Sequence, residues 1–194
     1  MSVRFDKAYY DRFYRDPKTR AVTPAAVRRQ AQFIAAYLKH LEVPVRSILD
    51  MGCGTGTLLR AMGRTFPQAR THGVEFSEYL CDRYGWQPGS VIDAEPDCGP
   101  ADLVICNDVL GYLNNADCTT ALENLARLSR GALYLGVLTR EDLKLCDPDR
   151  TDAEQHARPV AFYRRRLARE FQAVGGGLYL RLPLDVTVWH LERG

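Results

Sequence analysis

The chain has 194 residues, 46% of them hydrophobic and 26% charged, with a formal net charge of +2. That length supports one domain with a full core, and so balanced a charge singles out neither a polyanionic nor a polycationic partner. No apolar run approaches the roughly 20 residues needed to cross a bilayer, and the opening MSVRFDKAYY lacks an apolar secretory segment, so a cytoplasmic protein without a membrane partner is expected.

Residues 1–47 carry ten Lys/Arg against four Asp/Glu, and Arg158, Arg164, Arg165, Arg166 and Arg169 form a second basic group. Both read as solvated helix surface. Thr23-Pro24 is a helix start, with Thr as cap and Pro in the first turn. Val27, Ala31, Ile34, Leu38 and Leu41 then form one apolar face at helical spacing. VPVRSILD reads as a strand and runs into the glycine loop GCGTG, a geometry that brings main-chain amides near a ligand. Leu58, Leu59, Met62 and Phe66 mark the next helix. ARTHGVEF is a second strand, Ser77 caps a short helix, and SVID is a third, short strand. ADLVICN is a fourth, apolar throughout as a strand buried on both faces must be.

Asp117 is placed to cap the helix that carries Leu122, Leu125 and Leu128, with Gly131 ending it. ALYLGVL is a fifth strand, and residues 139–158 are polar and irregular. Pro159 opens a helix through Phe171. LYLRL and VTVWHL are two last strands, antiparallel because the Pro183-Leu184-Asp185 link is too short for a parallel crossover. Alternation of this kind specifies an α/β domain on a mainly parallel sheet. The six cysteines, at 53, 81, 98, 106, 118 and 146, are at least eight residues apart, and the four histidines show no ligand spacing. Reduced, buried thiols and no metal site are expected.

In such sheets ligands bind at the carboxyl ends of the strands. Those ends carry Asp50 with Gly52, Gly54 and Gly56, then Glu75, then Asp93 with Ala94, then Asn107 and Asp108. Glu75 follows Gly56 by 19 residues, the separation at which an acid grips ribose hydroxyls. A dinucleotide fingerprint needs glycine at 57, where Thr stands, and no Gly-Lys-Ser/Thr follows for a phosphate loop. Asp50 beside the loop disfavours a pyrophosphate and suits a ligand with an ammonium and a sulfonium.

These stretches together resemble the class I S-adenosylmethionine-dependent methyltransferases of the small-molecule type: ILDMGCGTG their first motif, GVEFS their acidic ribose motif, VIDAEP their adenine motif and ADLVICNDVLGYL their fourth-strand motif. The resemblance implies a Rossmann-like three-layer sandwich, a mainly parallel seven-stranded sheet with an antiparallel C-terminal hairpin strand. It implies one domain over 1–194, with 1–44 as an N-terminal helical lid or cap and 45–194 as the cofactor-binding core. S-adenosylmethionine would lie along Gly52, Cys53, Gly54 and Gly56, with Asp50 anchoring the loop or the ammonium. Glu75 would hold the ribose, Phe76 flank the adenine, Asp93 and the Ala94 amide bind it, and Asn107 border the sulfonium.

Methyl transfer needs alignment more than acid–base machinery, and a base only where the nucleophile must lose a proton. Asn107, Asp108, His156 and Tyr14 are the candidates for work at the acceptor, with residues 5–17, rich in Tyr and Phe, as a lid. Asn107-Asp108-Val109-Leu110 lacks the Pro-Pro-aromatic run of base and glutamine methyltransferases. The expected reaction therefore moves a methyl group to O or N of a small molecule and releases S-adenosylhomocysteine, in a monomer or homodimer. An RNA methyltransferase, a nicotinamide-dependent oxidoreductase and a non-catalytic cofactor-binding domain are the alternatives, with nucleic acid disfavoured as a partner.

Overall fold

In the computed structural model, which describes residues 5–11, 16, 23–147, 151–152 and 154–188, a single turn of helix, α1 (Lys7–Tyr10), is capped by the Asp6 side chain. The first long element begins where Thr23 and Pro24 dictate. Helix α2 (Pro24–His40) starts with the Ala26 amide donating to Thr23 Oγ1 at 3.1 Å. The chain then alternates through β1 (Ser47–Met51), α3 (Thr57–Thr65), β2 (Arg70–Glu75), α4 (Glu78–Tyr84), β3 (Gln87–Pro88), β4 (Ala101–Asn107), α5 (Asn115–Leu128) and β5 (Ser129–Gly136). It ends in α6 (Val160–Leu167) and the hairpin of β6 (Phe171–Gly175) and β7 (Leu178–Arg181).

The seven strands form one sheet in the order β3-β2-β1-β4-β5-β7-β6. Neighbours from β3 to β5 are parallel, and β7 runs antiparallel to both β5 and β6. This is the Rossmann-like sandwich with a reversed hairpin strand. Strand alternation sends Leu49, Met51, Val104 and Cys106 to one face, under α5 and α6. It sends Ile48, Leu103 and Ile105 to the other, under α2 and α3. Within the segment expected as a lid, α2 is a full member of this second layer: Ile34 and Leu38 are completely buried.

Several boundaries differ from those read in the sequence. SVID is a turn rather than a strand, because the Ser90 carbonyl accepts the amides of Asp93 and Ala94 at 3.3 and 2.8 Å. The third strand is Gln87–Pro88, a two-residue edge where proline is tolerated. Helix α5 is capped by Asn114, whose Oδ1 accepts from Ala116 and Asp117 at 2.9 and 3.0 Å; Asp117 lies inside the first turn. Gly131 sits in β5, where a Cβ would meet the Asp102 carbonyl at 2.8 Å. Ser77 begins α4, but its hydroxyl donates to the Phe5 carbonyl at 2.6 Å instead of capping. The hairpin is displaced by one strand: Phe171 leaves the helix for β6, the turn is made by Gly175 to Gly177 at positive φ, and LYLR is its second strand. Of VTVWHL, Val186 to Val188 form no strand, and the rest lies outside the described residues.

At the amino edge of the sheet Asp102 holds β1 to β4. Its Oδ2 accepts from the Arg46 amide (2.9 Å), the Ser47 amide (3.0 Å) and the Ser47 hydroxyl (3.0 Å). Asp102→Ala strands the partly buried Ser47 amide and the exposed Arg46 amide and is expected to lower the unfolding free energy by about 1–2 kcal/mol. Urea denaturation checks this, and a loss below roughly 0.5 kcal/mol would show that water replaces the carboxylate at this edge.

Candidate active site

Four of the five amides of the glycine loop are bound within the protein. Gly52 and Cys53 both donate to the Val74 carbonyl, at 2.8 and 3.1 Å, and Gly56 donates to Cys53. The Gly54 amide is taken by Glu75 Oε2 at 2.6 Å. With these amides spent within the protein, the glycines serve a different end, which is room. A Cβ on Gly52 would stand 2.3 Å from Val109, and one on Gly56 would stand 2.3 Å from the Trp86 ring. At Gly54, by contrast, a Cβ would meet nothing within 4 Å, so this residue faces open space. Trp86 also donates Nε1–H to the Gly54 carbonyl at 3.0 Å. The loop is therefore wedged from behind by an indole that sequence reasoning did not single out.

Two cavities meet at this loop, sharing Gly52, Gly54, Asn107 and Asp108 in their walls. The smaller, about 270 Å³, reaches Asp50, Thr57, Arg60 and Gln30. The larger, about 630 Å³, is walled by Glu75, Phe76 and Ser90 to Ile92, and also by Phe5, Tyr9, Tyr112, Glu154 and His156. Phe76 is 68% exposed, a large ring left for a ligand face.

Asp50, next to last in β1, lies between Gly73 and Ile105. It is only 2% exposed, and its carboxyl makes no hydrogen bond among the described residues. Burial pushes it up to about 7, with the Glu75 charge adding to the rise. Burial raises Glu75 as well, but the Ser77 and Gly54 amides oppose that rise. These are two buried acids on adjacent strands, one held by backbone amides and the other unpartnered.

Beyond them, Asn107 Oδ1 accepts from Gln30 Nε2 at 2.8 Å, and Gln30 also reaches the Tyr134 hydroxyl at 2.8 Å. Asn107 Nδ2 donates to Asp108 Oδ2 at 2.8 Å. Asp108 holds φ at 57°, a region costly for a residue with a Cβ, and its amide is bound by the Gly136 carbonyl at 2.7 Å. Asp108 is open to the cleft, yet the walls around it displace enough water to raise its carboxyl, and the Asn107 amide works against that rise. Gln30 was missed in the sequence although its signal is there: it lies three residues after Val27 and four before Ile34, a polar residue on the apolar stripe of α2.

Other expected residues fall differently. Asp93 is exposed and outside both cavities; Ala94 is buried, its amide spent on Ser90. The larger cavity takes Ser90, Val91 and Ile92 from this segment instead. Tyr14 lies outside the described residues, and from the aromatic lid Phe5, Tyr9 and Tyr10 line the cleft. His156 is exposed and lines the larger cavity, its amide bound to the Gly111 carbonyl at 2.7 Å. Arg158, expected on the solvated surface, is 3% exposed. Its guanidinium donates to the carbonyls of Leu110 (3.0 Å) and Leu113 and to Asn115 Oδ1 (2.9 Å), pinning the turn that carries Tyr112.

The Asp50 shift has a sign that can be checked. Its folded value, about 7, lies above the ordinary 3.8, so folding favours the protonated acid. The stability this gives is complete below about pH 4 and is lost as pH rises through 7. Asp50→Asn, which mimics the protonated form, is expected to exceed the parent in unfolding free energy by roughly 2–4 kcal/mol at pH 8 and to match it at pH 4. Equal difference at both values, measured by thermal melts, would mean that Asp50 stays ionised throughout.

Comparison with known proteins agrees with this architecture. Residues 49–131 match the family described as a methyltransferase domain. The curated cephaeline 6'-O-methyltransferase CiOMT of Carapichea ipecacuanha is 25% identical over 127 residues, 61% of this chain but 35% of that protein. The chain thus spans about a third of the length of the curated relatives it matches. Magnesium protoporphyrin IX methyltransferase (ChlM) of Synechocystis PCC 6803, crystallised with S-adenosylhomocysteine, superposes with a TM-score of 0.65 at 20% identity, over 91% of this chain and 96% of that one. DesVI of Streptomyces venezuelae gives 0.66 at 18% identity, over 94% and 100%. The methyltransferase-domain match thus covers residues 49–131, and the sheet that carries it has the class I, Rossmann-like architecture.

Proposed function

We propose that this chain transfers a methyl group from S-adenosylmethionine to an oxygen or nitrogen of a small molecule. The observation that carries the reading is the pair Asp50 and Glu75: two buried carboxyls on neighbouring strand ends, beside a glycine turn that leaves open space. A phosphate placed there would meet like charge. An ammonium and a vicinal diol supply the hydrogen-bond donors that two carboxylates take.

The residues present fit this cofactor. Asp50, without a hydrogen-bond partner among the described residues, takes the ammonium; Arg60, on the same smaller cavity, takes the carboxylate. Glu75 turns toward the ribose hydroxyls, with Phe76 and Ser90 to Ile92 around the base. Bound there, S-adenosylmethionine supplies a methyl carbon made electrophilic by its sulfonium. Asn107 and Asp108, common to both cavities, stand where donor and acceptor must meet. The chain's task is alignment at near-attack distance and exclusion of water, for which the Phe5, Tyr9 and Tyr112 rings form a cover. The relatives support a small-molecule acceptor, since cephaeline and magnesium protoporphyrin IX are what two of them are named for. No helix among the described residues is long and apolar enough to cross a membrane, which accords with a cytoplasmic reading.

Calorimetric titration with S-adenosylhomocysteine tests the cofactor site directly. Glu75→Ala is expected to weaken binding about thirtyfold, or roughly 2 kcal/mol, as charge-assisted hydrogen bonds are lost. Unchanged affinity in a variant with native circular dichroism would refute the ribose assignment.

A further inference from the structure

Beyond the cofactor residues, the larger cavity has a chemistry of its own. Phe5 meets Tyr9 and Tyr112 edge-on, with ring centroids 5.1 and 5.2 Å apart. The charged groups in this part of the wall are Asp108 and Glu154, with Asp152 behind Tyr112. Among the described residues no lysine or arginine lines the cavity. Arg158, close by in sequence, is buried and committed to the carbonyls of the Leu110–Leu113 turn.

The hydroxyls add to the same polarity. Tyr112 gives its one proton to Asp152 Oδ2 at 3.1 Å, so the 2.8 Å bond between the two tyrosines is donated by Tyr9. Both protons are spent within the chain, and the pair offers a ligand lone pairs. The Asp108 carboxylate is bonded to the Asn107 amide and has no ion pair among the described residues. Carboxylates, hydroxyl lone pairs and aromatic rings all attract a cation. A carboxylate or phosphate on the acceptor would face Asp108 and Glu154, with His156 as the one titratable base among the described residues of that wall.

We propose that this part of the cleft binds the methyl acceptor as an ammonium ion and that the methylated atom is an amine nitrogen. This rests on reading the cleft as a methyltransferase site. An N–H bond of the ammonium breaks and its proton passes to the Asp108 carboxylate. The freed lone pair forms the nitrogen–methyl bond as the carbon–sulfur bond breaks, and that bond's electrons remain on sulfur. The product leaves as a methylated ammonium, and Asp108 returns its proton to water. The crowding that raises Asp108 in the cleft suits it to this exchange.

Three probes of similar shape separate the possibilities: benzylamine, benzyl alcohol and phenylacetate, each titrated into the chain saturated with S-adenosylhomocysteine. Benzylamine is expected to bind at least about tenfold more tightly than either of the others. Asp108→Asn and Glu154→Gln should each weaken benzylamine about three- to tenfold. The proposal is overturned if phenylacetate or benzyl alcohol binds as well, if benzylamine does not bind, or if both substitutions leave its affinity unchanged. Failure of S-adenosylhomocysteine to bind the parent chain would instead refute the methyltransferase reading, whereas its binding without a preference for benzylamine would refute the amine acceptor alone.

Discussion

The Glu75 carboxylate is the joint on which the site depends. One oxygen takes the Gly54 amide at 2.6 Å and the other the Ser77 amide at 2.9 Å, so a single side chain ties the loop after β1 to the start of α4. Charge-assisted bonds to backbone amides are among the stronger ones in proteins, and here they offset part of the cost of burying an acid. The loop needs this tie because its glycines gain nothing from side-chain packing. Val74 holds it from beneath through two amides, and Trp86 from behind through the Gly54 carbonyl. What results is a concavity with a backbone floor, and the two carboxyls of Asp50 and Glu75 are buried beside it.

A second linkage brings the helical layer to the same place. Gln30 spans α2 to the ends of β4 and β5 through Asn107 and Tyr134. Asn107 keeps its place because residue 136 is glycine: a Cβ there would be 2.0 Å from Asn107 Oδ1. Asp108 holds its positive φ with its amide on the Gly136 carbonyl, and it lines both cavities. Strain of this kind persists only where its surroundings over-determine it.

Much of this was legible in the residues. Strands buried on both faces write continuous apolar runs, and ADLVICN matches β4 to the residue. The acids of the first two strands stood out because they lie at the carboxyl ends, where such sheets bind ligands, and because Glu75 follows Gly56 by 19 residues. What failed were signals with two physical readings. Asn114 and Asp117 are both good caps, and only the tertiary path decides between them. SVID has strand propensity, yet the Ser90 carbonyl draws its amides into a turn. The hairpin was displaced because β-branched VTV outweighed three consecutive glycines, the stronger turn former. Trp86 gave no signal at all, since its importance lies in the glycines it packs against, twelve or more residues away.

Arg158 shows how such a fold divides its labour. It closes the irregular segment that begins after β5, and it grips the turn bearing Tyr112 through backbone carbonyls, which every amino acid possesses. The residues between, Glu154 and His156 among them, reach the cavity without entering the sheet. On the proposed reading, part of acceptor recognition is thereby a detachable trait: change at Glu154 or His156 would alter the molecule admitted while the Arg158 anchor and the strand ends stay as they are. A lineage with this design can explore new acceptors without putting its core at risk.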